Sequence, residues 1–403
     1  MGFSPHVAMG GSAAALIWLV LETNMVIESR RYTDGGSWDG AVHLQVPFGG
    51  SLPDAASPKI AMNAHGVTLA TWKQQGNGEE DAAFDFYLPG TGWATYPEVS
   101  GIDLSLIRGG TSDPVVAIGA NDYGEWVIGA YAYIHALPFE QIGGAGTGAN
   151  VNDSGNLPAC PWVSANARGA AMAVWTEMPA SGSWLNKAWF YDPQAVQSPA
   201  PVTIGTGAPN MLGCPRVALD DLGRAVAVWT VTSGGVSSLA YRMTDTSQSW
   251  GAGAATVDTG GLAVFNPDLA LSATGEGLVV WEQSTSASAS ATRDVRAVHF
   301  QISQGLDAAG AVGVGSTAPA SGPRVVVSGA QAGVAVWLQA GRLWSNAFLA
   351  AEGGWRQAAA IDTVRSGYTS QNPDLATDRN GRALATWEST SGGIPDVMVA
   401  RFE

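Results

Sequence analysis

The sequence has little charge and almost no cysteine. Only 13% of its 403 residues are Asp, Glu, Lys or Arg, which excludes long charged helices and coiled coils. Cations are the scarcer sign: 19 Lys and Arg against 34 Asp and Glu leave a net charge of −15. A field of that sign repels nucleic acid and anionic membranes and argues against duplex binding. The apolar stretch near the start, Ala13 to Val20, is far too short to span a bilayer and lacks the basic flank and small-residue cleavage site of an export signal. The two cysteines form no CxxC pair. The five histidines, His6, His43, His65, His135 and His299, show no HxH or HExxH spacing, so no metal site is expected. There is no GxSxG elbow, the glycine run Gly143 to Gly148 opens no helix, and Asp378-x-Asn380-Gly381 lacks the remaining EF-hand ligands. No cofactor is expected.

What is abundant is glycine, with 52 residues, and tryptophan, with 16 against nine Tyr and ten Phe. Many turns in a 46% hydrophobic chain point to a β-rich body, and a search for self-similarity finds the pattern. Pro215 to Trp229 reads PRVALDDLGRAVAVW, and the same frame begins at Pro58, Pro161, Pro267, Pro323 and Pro373, with tryptophan 14 residues after proline in all six. A shorter copy runs from Pro5 to Trp18. The Pro114 copy departs, with Ala130 or Tyr131 in the tryptophan slot and Leu137 to Gly144 where a third strand is expected. The mean interval is about 53 residues, giving repeats 1–57, 58–113, 114–160, 161–214, 215–266, 267–322, 323–372 and 373–403 within a single domain.

Each unit parses into β elements. Proline followed by alternating Val, Ile or Leu and Ala predicts a strand with proline at its first residue, where a missing N–H is tolerated. Asp or Asn followed three residues later by Gly, as in Asn63 and Gly66 or Asp220 and Gly223, predicts a hairpin turn. The run ending on tryptophan is a second strand, a third follows a polar loop, and Gly-Trp or Ser-Trp turns at Trp38, Trp93, Trp250 and Trp355 lead into a fourth. Four-stranded antiparallel units repeated in this way predict an all-β fold, a β-propeller of eight blades with seven as the alternative. Cys160 and Cys214 each precede a repeat-initiating proline and so hold equivalent positions in adjacent units. A bridge needs Cα atoms within about 7 Å. Equivalent positions on neighbouring units are commonly farther apart, so two buried thiols are expected.

The Pro-x-Val-Ala-x-Asp-x-x-Gly-x-Ala-x-Ala-x-Trp frame, over the whole chain, resembles the repeats of secreted bacterial β-propeller proteins, in the wide neighbourhood of propeller lectins and sialidases. The resemblance implies an extracellular or cell-surface protein, a monomer whose export signal lies outside this sequence. Its Asp-x-x-Gly turn is also similar to the sialidase Asp-box, but the glycine is one residue too far and no sialidase residue carries over. Packing residues carry the resemblance, so it implies the fold and leaves function to the site.

The residue after each proline opens the inner strand, and round the ring it reads His6, Lys59, Val115, Trp162, Arg216, Asp268, Arg324 and Asp374. In a frame otherwise fixed to Val, Ala and Gly, this position is polar and varied. It offers cations for a carboxylate or sulfate at a channel mouth, and equally an alternation of charges that pairs neighbouring blades. The segments after the tryptophans bring Gln74, Glu177, Glu282, Gln283, Gln339 and Glu388 to the same face, where two carboxylates would serve as acid and base for glycoside cleavage. His6 with Arg324 or Lys59 is the set a polysaccharide lyase would use. Of the tryptophans outside the pattern, Trp162 and Trp184 are the candidates for stacking on a sugar. The preferred reading is a non-catalytic recognition module for carbohydrate, with lyase or glycosidase and protein-interaction scaffold as alternatives.

Overall fold

In the computed structural model the described residues are 2–402, apart from 46–53, 77–78, 95–112, 121–122, 131–132, 141–143, 146–147, 196–198, 289–290, 314–317, 329–331 and 363–366. Tyr131 therefore lies outside the described residues. Alternating apolar residues between glycine turns give β structure throughout, arranged as eight antiparallel sheets among the described residues. In the first, Gly2–Gly10, Ala13–Leu21, Met25–Thr33 and Val42–His43 pair in chain order. The next six carry four or five strands in the same up-and-down order, and the eighth, Tyr368–Thr377, Ala383–Ser391 and Ile394–Phe402, carries three. The Pro114 unit is more regular than its sequence suggests: its third strand forms as Tyr133–Glu140, paired along its length with Tyr123–Ala130. No helix among the described residues is long and apolar enough to cross a membrane.

The first strand of each sheet packs against the first strand of the next, from Gly2–Gly10 against Ala55–Met62 onward, and Tyr368–Thr377 packs in turn against Gly2–Gly10. The recurring tryptophans fill the seams between sheets. Trp229 packs with Ile204 and Ala188 of the sheet before it, Trp281 with Val228 and Leu239, and Trp337 with Leu278 and Val295. Trp18 makes the same contact with Leu384 and Val397, so the first sheet meets the last as any sheet meets its predecessor. Each such indole is a large apolar burial, and truncating one to alanine costs about 3–5 kcal/mol.

The proline does not begin its strand in most sheets. In six of them the first strand starts several residues earlier and crosses a β-bulge at the proline, where pairing register shifts. The residue before the proline takes positive φ, 47° at Ser4, 52° at Ser57, 55° at Cys160, 48° at Asn266 and 47° at Asn372. A bulge is where an absent N–H costs the ladder nothing, and it re-aims the side chain that follows.

At the other end of these strands lie the predicted hairpin turns. Asn166 Oδ1 accepts the Arg168 and Ala170 amides, Gly169 takes φ of 77°, and Asn166 Nδ2 donates to the Asp220 carbonyl of the next sheet at 3.0 Å. Asn63 repeats this toward the Gly119 carbonyl at 3.0 Å. In the Asp220 turn the carboxylate accepts from the Leu222 and Arg224 amides and the Arg224 guanidinium.

Candidate functional site

All eight residues that follow a repeat proline line one cavity of about 590 Å³, together with Asp113, Cys160 and Cys214. Each side chain comes from the first strand of a different sheet, six of them just past a bulge, and these first strands pack against one another. Inter-sheet pairing at this position is carried by His6 and the aspartates. His6 and Asp374 form a direct pair at 3.1 Å with about a fifth of each side chain exposed. Asp268 is buried and accepts the Val325 amide of the next sheet at 2.9 Å, as Asp374 accepts the Val7 amide at 3.0 Å. The aspartates therefore lace inner strands together, and both expected roles of this position, inter-sheet pairing and cavity lining, coexist.

The cations are held differently. Among the described residues Arg216 and Arg324 each make one hydrogen bond, to the carbonyl of the proline just before, at 3.4 and 3.0 Å. A guanidinium has five N–H donors, so most remain for a ligand. Burial lowers the Arg216 pKa, with Asp268 opposing and Arg324 adding to the fall. Burial pushes the Asp268 carboxyl upward against Arg324 and the Val325 amide. Lys59 Nζ lies 2.9 Å from His6 Nε2. A carboxylate only accepts and an ammonium only donates, so a single His6 tautomer, with its proton on Nδ1, satisfies Asp374 and Lys59 together. Burial lowers the His6 pKa and Lys59 lowers it further, while Asp374 opposes. For Asp374, burial acts upward, but His6, the Val7 amide and Lys59 outweigh it and leave the carboxyl at about 2.

Trp162 lines the cavity, but the Arg216 guanidinium lies 4.2 Å from its ring centroid and its body packs against two core clusters. Its indole supports a cation before it could support a sugar. Trp184 is not among the cavity residues: it opens the strand Trp184–Tyr191 and, partly buried, packs on the core between the fourth and fifth sheets.

The expected pair of buried thiols is instead a disulfide between Cys160 and Cys214, with Cα atoms 5.5 Å apart and Cys214 exposed. Equivalent positions approach closely here because they sit on inner strands, where neighbouring sheets converge. The carboxylates proposed as an acid–base pair are committed to structure. Glu177 and Glu282 are fully buried and Glu388 nearly so. Glu177 accepts from the Trp175 indole at 2.9 Å, while Gln74, Gln283 and Gln339 do the same for Trp72, Trp281 and Trp337. Glu282 joins Asn266, Arg293 and the Gly322 amide of the next sheet, and Glu388 joins Asn372 to the Ser4 amide of the first. A Glu or Gln two residues after tryptophan was a readable signal of this bracing. Asp113, which the sequence reading passed over, joins the cavity rim by accepting from Ser57 and pairing with Lys73 at 3.3 Å. Away from the cavity, Glu22, Glu28 and His43 form a surface group of metal-ligating type on the first sheet.

No family model and no curated protein matches the sequence. Among solved structures, the chain is similar to the polysaccharide lyase Uly1, at 8% identity over 98% of this chain and 88% of that one, with a TM-score of 0.55. It is similar to a puromycin hydrolase at 14% identity over 96% of this chain and 58% of that one, TM-score 0.51, and to a lectin from Burkholderia pseudomallei at 11% over 90% and 100%, TM-score 0.49. At such identities the likeness is one of fold: all-β, with antiparallel four-stranded sheets of propeller type.

Proposed function

We propose that the eight sheets form a closed eight-bladed β-propeller, and that the protein is a non-catalytic, extracellular, monomeric recognition module for an acidic carbohydrate bound at the charged cavity. The observation that carries the reading is the pair of guanidinium groups, Arg216 and Arg324, lining one cavity with most of their donors unspent. Guanidinium forks match carboxylate and sulfate geometry, and partial burial strengthens the bond. The seam contact of Trp18 with the last sheet and the Glu388 bond to Ser4 support closure. The disulfide supports an oxidising compartment outside the cytosol. The structural commitment of Glu177, Glu282 and Glu388 weighs against the glycosidase alternative, and the engagement of His6 on both ring nitrogens weighs against His6 as the free base of a lyase.

A glycan array carrying uronate, sialate, sulfated and neutral sugars tests the reading. The wild type is expected to retain acidic glycans and Arg216→Ala to lose them; a wild type that retains none ends the proposal. Closure has its own test, since Trp18→Ala should destabilise by about 3–5 kcal/mol, as Trp281→Ala should, and a silent Trp18→Ala means an open ring.

A further inference from the structure

The chain has three lysines, Lys59, Lys73 and Lys187. Two face carboxylates: Lys73 pairs with Asp113 at 3.3 Å and Lys187 with Asp153 at 2.6 Å. Lys59 faces an imidazole, and among the described residues no carboxylate lies within ion-pair distance of its Nζ. That imidazole is in turn fixed by Asp374, so three inner strands, from the eighth, first and second sheets, assemble a carboxylate–imidazole–amine chain that ends in the cavity. A carboxylate partner would hold the ammonium charged, whereas a neutral imidazole can take its proton. Arg216 and Arg324 line the same cavity.

We propose that Lys59 is a nucleophilic amine, activated by His6 and Asp374, that forms an imine with a 2-oxo acid whose carboxylate is held by Arg216 and Arg324. The Lys59 ammonium gives one proton to His6 Nε2, and the resulting imidazolium is stabilised by Asp374. The freed amine adds its lone pair to the keto carbon while an N–H proton passes to the oxygen. His6 then returns its proton to that hydroxyl, the C–O bond breaks, water leaves and the C=N bond forms as a protonated imine. Nothing is oxidised or reduced. Burial lowers the Lys59 pKa, with Asp374 and Asp113 opposing and Arg324 and Arg216 adding to the fall, so free amine is present at lower pH than for an ordinary lysine. The inference shares its cavity with the recognition reading but stands without it.

Pyruvate with cyanoborohydride tests it on the intact protein, followed by mass spectrometry of the three lysine peptides. Each unit of lowered pKa raises the free-amine fraction roughly tenfold at neutral pH. Lys59 is therefore expected to gain a reduced pyruvate faster than Lys73 or Lys187. The lead should disappear in His6→Gln, and Arg324→Ala should slow pyruvate more than formaldehyde, because it removes the carboxylate clamp as well as a charge that lowers the Lys59 pKa. Should His6→Gln fail to fold, the pH profile of wild-type labelling decides, because the Lys59 rate should level off at lower pH than that of an ordinary lysine. Equal labelling of all three lysines, or a Lys59 profile matching an ordinary lysine, overturns the proposal. Glycan retention with no selective trapping would overturn the amine and leave the recognition reading intact; trapping without glycan retention does the reverse.

Discussion

The two ends of the inner strands are built from one repeat and have diverged in use. At the end with the hairpin turns, a cavity of about 360 Å³ is lined by residues such as Asn63, Asn166 and Asp378, whose polar atoms are spent on their own turn or on the next sheet. Approach there is so close that a Cβ on Gly10 would overlap the Asn63 carbonyl. At the bulge end the same strands present Lys59, Arg216 and Arg324 with donors or an amine directed at a larger cavity. One end is uniform and self-satisfied, the other varied and only partly so. A repeat that must pack can afford variation only where its side chains leave the packing, so variation within the frame points to the end proposed to bind a ligand.

The largest expected effect tests the one covalent tie, which lies at the bulge end. Cys160 and Cys214 are 54 residues apart, and closing a loop of that length stabilises by about 4 kcal/mol. Replacing both with serine should lower the unfolding free energy by about that amount in urea melts. Because the bridge joins the residues just before Pro161-Trp162 and Pro215-Arg216, it should also weaken acidic-glycan binding. A double variant with unchanged stability and affinity would leave the bridge without a part in either.

Second comes the contrast in ligand binding. Arg216→Ala should reduce affinity for the retained glycan roughly 10- to 100-fold, about 1.4–2.7 kcal/mol, since it removes a charge-assisted fork. Its unfolding midpoint should move less than that of the disulfide variant, as it loses one hydrogen bond to the adjacent proline carbonyl and the contact with the Trp162 ring. Isothermal titration beside a melt separates the two effects. Arg224→Ala, which removes the cation paired with the Asp220 turn, should behave oppositely, and equal affinity losses in both variants would erase the distinction between the ends.

A third prediction uses pH. The folded Asp374 carboxyl sits at about 2 against an ordinary 3.8, so its contribution is present above the unfolded value and is lost as pH falls from about 4 toward 2. The size is about 2 kcal/mol. Asp374→Asn should therefore be less stable than wild type at pH 5, and the gap should narrow by pH 2.5. An undiminished gap would mean that the Val7 hydrogen bond and packing, and not charge, carry the role of this residue.

Much of this architecture was legible because it repeats. The spacing from proline to tryptophan marked seven of the eight sheets, the Asn or Asp followed by Gly marked the turns, and the varied position after proline pointed to residues that do share a cavity. Most of the misses depend on contacts between neighbouring sheets, which no local stretch of sequence displays. Nothing local in Ala159-Cys160-Pro161 says that Cys214 is 5.5 Å away, or that Arg216 covers the Trp162 ring. Trp184 looked free only because the seam it fills belongs to the neighbouring sheet. Proline was placed one step wrong, at the start of its strand, because a bulge with a left-handed residue before proline contradicts the usual extended preference there. Only the indole braces, Trp175 with Glu177 and its equivalents, lay two residues apart and within reach of the sequence alone.

The smallest effect is expected at the turn end. Asn166→Ala removes two turn hydrogen bonds and the inter-sheet bond to Asp220 from a side chain that is buried yet lines the smaller cavity, where solvent replaces part of what is lost. The cost should be about 1 kcal/mol in a urea melt. Asn166→Asp discriminates further, since it keeps the acceptor for the Arg168 and Ala170 amides but sets a carboxylate oxygen against the Asp220 carbonyl. If the turn bonds dominate, Asp should restore most of the loss. If the tie between sheets dominates, Asp should be worse than Ala, and the turn end would then hold neighbouring sheets together as the bulge end does, by bonds that cross from one sheet to the next. In either case glycan affinity should not change, because Asn166 lies at the opposite end of the inner strand from Trp162.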